Sequence, residues 1–478
     1  MIILPANTLS SGGYDVANSC RFDSASSSYL HRTPSATGNP KKFTYSLWVK
    51  FSKVDPGNFM VSGSGSSSYF IFGAYGGGDI DIVTYTGYVI TATTGRLFRD
   101  LSSWYHVVLA CDTTQASFSD GIKLYINGVL ESSFATQSVG SENGYTQDTS
   151  LRFGTSGEVM AIGANSLTSQ GFWDGYIAEC AFVNDQQLAP TEFGEFDEDS
   201  PRIWKPKDIS GLTFGTNGFY LDFKDSSNLG NDVSGNNNDF TSVNLDATNQ
   251  AIDTPTNNFA TMNPLNVPTS NAPTFKEGAL ETESATTSGQ RFMGSSTIGL
   301  TAGKWYAECK IVVIDSATVG ISPDVAVHAK DNTYIGSHAH DWSILPETGV
   351  KYNNDSGTTH GDAFSTNDIL MIALDLDNNN VYFGRNGNWF DGSGNADEAA
   401  PNSALSLTAP ASTPEGAYFF ACSDGGGSAK AKVQWNFGNP PFSISSGNSD
   451  ANGYGNFEYA VPSNYFSLCT KNLAEYGG

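Results

Sequence analysis

Apolar residues recur at every second position over long stretches of this chain. Phe43, Tyr45, Leu47, Val49 and Phe51 fall on one face of an extended segment, the period of a β-strand set against a core. Residues 104–110 predict a second strand. Ile122 to Ile126, then Asn127-Gly128, then Val129-Leu130 predict a hairpin, because Asn-Gly accepts the positive φ angles of a type I′ turn. Residues 158–163 and 175–183 predict two more strands, and in the latter Cys180 falls in step with Tyr176, Ala178 and Phe182, opposite Glu179. Only residues 186–196 read as briefly helical. Between 197 and 275 the pattern gives way to Pro201, Pro206, Pro255, Pro264 and Pro268 among many Asn, Asp, Thr and Ser. The alternation of Phe219, Leu221 and Phe223 persists there, which predicts an ordered connector with a short strand. Strands resume at 305–313, 369–376, 381–383, 418–421 and 433–437. In the first of these Cys309 alternates with Trp305, Ala307 and Ile311, opposite Glu308 and Lys310. Residues 465–473 are apolar enough to dock.

The fold class is therefore all-β, with two antiparallel β-sandwiches joined by an ordered connector. Composition agrees. Only 15% of the 478 residues are charged, against roughly 25% in ordinary soluble proteins, and turn-forming residues take their place. A coiled coil is excluded on that ground, and disorder is excluded by the 39% hydrophobic and 12% aromatic content. The net charge of −25 and the absence of a Lys/Arg run argue against nucleic acid or anionic lipid as a partner. No apolar run approaches the ~18–20 residues of a membrane span. The opening Met1-Ile2-Ile3-Leu4-Pro5 has no basic flank and breaks at Pro5, so it is not expected to be a signal peptide. Cys20, Cys111, Cys180, Cys309, Cys422 and Cys469 form no CxxC pair and are expected as buried free thiols of a protein made in a reducing cytosol.

Several motifs carry a family resemblance. Phe43-Thr44-Tyr45-Ser46-Leu47-Trp48-Val49, Trp104-Tyr105-His106-Val107-Val108, Leu124-Tyr125-Ile126-Asn127-Gly128 and Gly171-Phe172-Trp173-Asp174-Gly175-Tyr176-Ile177 resemble laminin-G-like domains of the concanavalin A-like jelly-roll class. The second half resembles a SPRY domain in Gly303-Lys304-Trp305-Tyr306-Ala307-Glu308, Leu374-Asp375-Leu376-Asp377, Val381-Tyr382-Phe383-Gly384-Arg385-Asn386-Gly387 and Gln434-Trp435-Asn436-Phe437-Gly438. The expected organisation is an N-terminal attachment segment (1–14), a laminin-G-like jelly roll (15–197), the Asn/Pro-rich connector (198–275), a SPRY-like sandwich (276–445) and a C-terminal docking tail (446–478).

Tyr29-Leu30-His31-Arg32-Thr33-Pro34, Asp253-Thr254-Pro255-Thr256-Asn257-Asn258-Phe259 and Leu468-Cys469-Thr470-Lys471-Asn472-Leu473 are similar to segments of tailed-bacteriophage virion structural proteins. That resemblance implies a non-enzymatic virion surface protein, made in the host cytoplasm. A fibre-like adhesin recognising host-surface glycan is the expected role. Capsid decoration (a head-fibre protein) is the alternative, and a polysaccharide depolymerase a more distant one. Other virion proteins of tail or capsid are the expected partners, with homo-oligomerisation and no membrane insertion.

The resemblance places ligand-binding loops at one end of the SPRY-like sandwich. Loop aromatics and polar residues make Tyr334, His338, Trp342, Tyr352 and Trp389 candidates there. Tyr75 and Tyr88, among the glycines of the first domain, are further candidates. No cofactor is expected apart from calcium, for which Asp112 and Asp174 are the candidates. His338-Ala339-His340 would set two imidazoles on one face of an extended strand, a transition-metal candidate. Asp375 to Asn380 opens like an EF-hand but lacks its Gly and Glu, and reads as a hairpin turn. Glycoside hydrolysis needs two carboxylates ~5–9 Å apart. The nearest run, Glu195-Phe196-Asp197-Glu198-Asp199-Ser200, ends in Ser200 beside Pro201, so no catalytic residue is expected.

Overall fold

The computed structural model describes residues 13–66, 68–85, 91–138, 147–285, 289, 291–427 and 429–477. Its strands gather into two units that divide between Thr256 and Asn257.

In the first unit, one eight-stranded sheet runs Val129–Leu130, Ile122–Ile126, Trp104–Asp112, Lys42–Phe51, Gly175–Asn184, Ser19–Phe22 and Gln250–Ala251, with Phe219–Leu221 also paired to Gly175–Asn184. The other runs Phe134–Ser138, Thr91–Thr94, Asp79–Tyr85, Ser68–Tyr75, Gly57–Gly65, Val159–Ile162, Tyr29–Arg32 and Thr241–Val243. Every described pairing is antiparallel. Phe43, Tyr45, Leu47, Val49 and Phe51 enter the core as the alternation predicts and meet Phe59, Phe70 and Phe72 of the facing sheet. The opposite face of Lys42–Phe51 is buried too. Trp204, Ala251 and Asp253 cover it, so the first part of the expected connector belongs to this sandwich. Trp204 Nε1 donates to His106 Nδ1 at 2.9 Å. An indole only donates, so Nδ1 accepts and the ring is neutral; burial holds the His106 pKa down at about 3. The other ring nitrogen, Nε2, is left to donate to Ser46 Oγ at 2.9 Å.

The strand Gly175–Asn184 departs from the expected alternation. A bulge falls between Ala178 and Ala181, where Glu179 takes φ 48°. Ile177, Cys180 and Phe182 therefore face the main core, whereas Tyr176 and Ala178 face the covering layer. One extra residue reverses the parity of everything beyond it. The 127–128 turn is as expected, with φ 48° at Asn127 and 77° at Gly128. A Cβ on Gly128 would lie 2.4 Å from the Trp204 ring. Gly128→Ala is expected to cost about 1–3 kcal/mol through strain and overpacking. Chemical denaturation checks this, and an unchanged midpoint would contradict the packing described.

The second unit pairs a nine-stranded sheet with a six-stranded one. The larger runs Thr274–Lys276, Glu281–Glu283, Lys432–Asn436, Lys304–Val313, Ile369–Asp375, Asn380–Arg385, Asn388–Phe390 and Ala396–Glu398, with Leu405–Ser406 beside Asn380–Arg385. The smaller runs Arg291–Ser295, Phe419–Asp424, Ala317–Ser322, Trp342–Leu345, Val350–Asn353 and Ser356–Thr359. Trp305, Ala307, Cys309 and Ile311 share the core face, as their spacing predicts. The C-terminal segment docks: Phe466 bridges Trp305, Leu468 and Cys469 are buried, and Tyr476 stacks on Phe466.

All six cysteines are buried and free, as expected. Residues 186–196 hold a single 3₁₀ turn, Pro190–Glu192, followed by the strand Gly194–Phe196 paired to Trp204–Pro206, in place of the expected helix; the α-helices described are the short Phe118–Gly121, Val325–Asp331 and Thr470–Tyr476. Among the described residues no helix is long and apolar enough to cross a membrane.

Candidate functional site

The outer face of the nine-stranded sheet, beside the C-terminal segment, carries a cleft of about 620 Å³. Lys304 and Asp375 lie opposite each other on paired strands and form an ion pair at 2.8 Å. Asp375 also accepts from the Asn378 backbone N–H at 3.0 Å and from its side chain at 2.9 Å. Burial works against its charge, but Lys304 and Asn378 outweigh burial and hold the carboxyl below its ordinary range. Tyr382 and Trp389 come from the next two strands, and Tyr465 comes from the C-terminal segment. The sheet thus places a charged pair and an amide beside three aromatic rings. Trp389 is 3% exposed and serves as wall, while Tyr382 is half-buried and the more accessible of the two.

The structure brings four of the sequence candidates together beside the six-stranded sheet of the same unit. Tyr334 is buried, donates to Asp355 and meets Tyr352 edge-on at 6.0 Å. Trp342 donates Nε1 to the Ser406 carbonyl at 3.1 Å, and Lys351 lies 5.8 Å from its ring. These rings anchor the rim. His338 stacks on His328 with centroids 4.2 Å apart, and its Nδ1 lies 3.5 Å from Asp324 Oδ2. His340 does not join it and instead bonds Thr408 Oγ1 at 3.0 Å. The expected extended strand is a turn, closed by the Asp341 N–H on the His338 carbonyl, so the two imidazoles diverge. His328, which no spacing singled out, takes the place expected of His340. Its Nε2 lies 3.0 Å from Asp341 Oδ2, both side chains being fully buried. Burial opposes the charge on Asp341, yet His328, the Ser322 hydroxyl and the His338 N–H hold its carboxyl below the ordinary range.

The remaining candidates stand apart. Trp389 belongs to the cleft and not to the rim, and Tyr75 donates to Asn58 in the first unit. Tyr88 lies outside the described residues. Asp112 pairs with Lys42 at one end of the strand Lys42–Phe51, and Asp174 pairs with Lys53 beyond the other end. At ~3.3 Å per residue they are roughly 30 Å apart, so no calcium ion is shared between them. Glu195 and Asp197 both face Lys205, and Asp197 Oδ1 caps the N–H groups of Asp199 and Ser200. The turn at 376–379 joins two paired strands, as its hairpin reading predicts.

Residues 23–192 match the family model of the concanavalin A-like lectin/glucanases superfamily. No curated protein sequence matches the chain. The SPRY domain of human HERC1 is similar at 17% identity and TM-score 0.24, covering 33% of this chain and 87% of that domain. Another human SPRY domain is similar at 16% identity and TM-score 0.25, covering 35% of this chain and 94% of the other. A protein of Bacteroides ovatus, provisionally described as carbohydrate-binding, is similar at 14% identity and TM-score 0.32, with 49% of this chain and 61% of that one covered. At TM-scores this low the structural similarities add nothing about function.

Proposed function

We propose that this chain is a non-catalytic glycan-binding protein of a bacteriophage particle surface, and that the cleft of the second unit is its glycan site. The cleft carries the reading. Aromatic faces pack against the C–H face of a sugar ring, and Lys304, Asp375 and Asn378 offer donors and an acceptor to its hydroxyls. The match of residues 23–192 to a family whose description names lectins supports the same ligand class for the first unit. A single carboxylate, Asp375, lines the cleft among the described residues, whereas glycoside hydrolysis employs two. Weak single sites suffice when many copies on one particle act together. The particle location rests on the sequence resemblance.

Tyr382→Ala removes the half-buried ring and leaves the inter-sheet core of Val381 and Phe383 in place. On a glycan array the variant is expected to lose about 2–10-fold in binding, the order of one aromatic contact, with its circular dichroism unchanged. Equal binding by the variant would move the site elsewhere. Gold-labelled antibody on intact particles tests the location: gold on tail or capsid supports it, and particles without gold contradict it.

A further inference from the structure

His328, His338 and Asp341 form a second constellation, and none of them lines the cleft. One potential ligand atom of each lies within 4.8 Å of the others. Their surroundings are those of ligands. His328 is fixed between Phe292 and His338, with ring centroids 5.8 and 4.2 Å away. Its Nδ1 bonds Thr333 Oγ1 at 2.7 Å, which turns Nε2 toward Asp341. The Nδ1 of His338 lies 3.5 Å from Asp324 Oδ2, so each imidazole has a polar partner on Nδ1 that could orient it as an outer partner orients a ligand. The Asp341 Oδ2 atom accepts from the N–H groups of Gly336 and His338, both at 3.0 Å. The other oxygen of Asp341, Oδ1, is buried and has the Ser322 hydroxyl as its neighbour without a well-formed hydrogen bond. An under-satisfied buried carboxylate is a ready ligand for a cation.

We propose that His328 Nε2, His338 Nε2 and the Asp341 carboxylate bind a single divalent transition-metal ion such as zinc or cobalt, with an open position on the solvent side of His338. Two imidazoles and a carboxylate suit these ions. Bonds of ~2.0–2.1 Å set tetrahedral donors about 3.4 Å apart. The triad closes to that spacing when His338, whose side chain is 29% exposed, tilts out of its stack on His328. The ion takes the place of the proton between His328 Nε2 and Asp341 Oδ2, and the ring stays neutral with its one proton on Nδ1, donated to Thr333 Oγ1. Asp324 and Thr333 act as positioning residues on the outer nitrogens.

The test uses the full chain without a histidine tag, dialysed against chelator and titrated with Co²⁺, followed by Zn²⁺ competition. A saturable visible spectrum with one ion per chain, displaced by Zn²⁺, is expected. His338→Ala should abolish it, and Asp324→Asn should weaken Co²⁺ binding by about 10–100-fold, the usual cost of losing an outer partner. His340→Ala, whose imidazole bonds Thr408 instead, should bind as the unaltered chain does. Circular dichroism establishes that each variant is folded. No saturable Co²⁺ spectrum in the unaltered chain would overturn the proposal. So would undiminished binding by folded His338→Ala, or by folded Asp324→Asn if His338→Ala does not fold.

Discussion

Asp253→Ala is expected to destabilise the first sandwich by about 3–5 kcal/mol, the cost of removing one partner from a buried ion pair. Lys50 Nζ and Asp253 Oδ2 are 2.6 Å apart, and their side chains are 1% and 0% exposed. Trp104 Nε1 donates to the other carboxylate oxygen at 3.0 Å. Burial pulls the Lys50 pKa down and Asp253 pulls it back up. Without the carboxylate the ammonium stays buried beside Tyr176, 5.7 Å from that ring, having lost its ion-pair partner, and the indole N–H loses the Asp253 oxygen it donates to. The double replacement Lys50→Met with Asp253→Leu should recover most of the loss, because an apolar pair of similar volume carries no desolvation cost. Urea denaturation of the three proteins decides the matter. A single variant within about 1 kcal/mol of the unaltered chain, the range of ordinary surface substitutions, would contradict the burial described.

Glu308→Gln is expected to flatten the pH dependence of the second sandwich. Glu308 is buried under the C-terminal segment, and its two oxygens accept from Tyr306 Oη, Asn436 Nδ2 and the N–H groups of Glu458 and Tyr459 at 2.8–3.1 Å. Burial outweighs these donors and pushes its pKa from the ordinary 4.5 up to about 7. The folded state therefore holds a proton that the unfolded chain releases between those values. This contribution to stability is complete below pH ~4.5 and is lost as pH rises through ~7, about 3 kcal/mol in all. Glu179, held by Tyr14 and Tyr220, behaves alike in the first sandwich, also at about 7. His106 and His360, kept neutral by burial at about 3 and about 4, act in the opposite sense as pH falls below ~6.5. The quantity to read is therefore the difference between the unaltered chain and Glu308→Gln from pH 5 to 8. The amide offers one acceptor oxygen to four donors, so the variant is less stable throughout, and its disadvantage should shrink as pH rises. A constant difference across that range would show that Glu308 does not titrate there.

Period-two alternation made Phe43 to Phe51 and Trp305 to Ile311 legible in the sequence, since each strand sets one face on a core. The Asn127-Gly128 turn was legible for the same local reason. The strand Gly175–Asn184 was not, because both of its faces are buried and no polar side marks where the bulge at Glu179 reverses them. Lys50 alternates with apolar residues as an exposed lysine would; only its distant partner, Asp253, reveals that it is inside. The same limit governs the sites. His328 and His338 come from a helix and a turn that tertiary packing sets side by side, and no sequence spacing announces that. Trp389 was singled out, but Lys304, Asp375 and Tyr465 become its neighbours only through strand pairing and the docked C-terminal segment. Tyr382 did leave a signal, an aromatic ring out of step with Val381 and Phe383, which enter the core.

The most direct test of the account is a glycan array probed with the purified full chain, followed by a reducing-sugar assay on every glycan that binds. Saturable binding to a restricted set of glycans, with no release of reducing sugar, is the result predicted. Absence of binding to any glycan would contradict glycan recognition, and release of reducing sugar would contradict the non-catalytic reading.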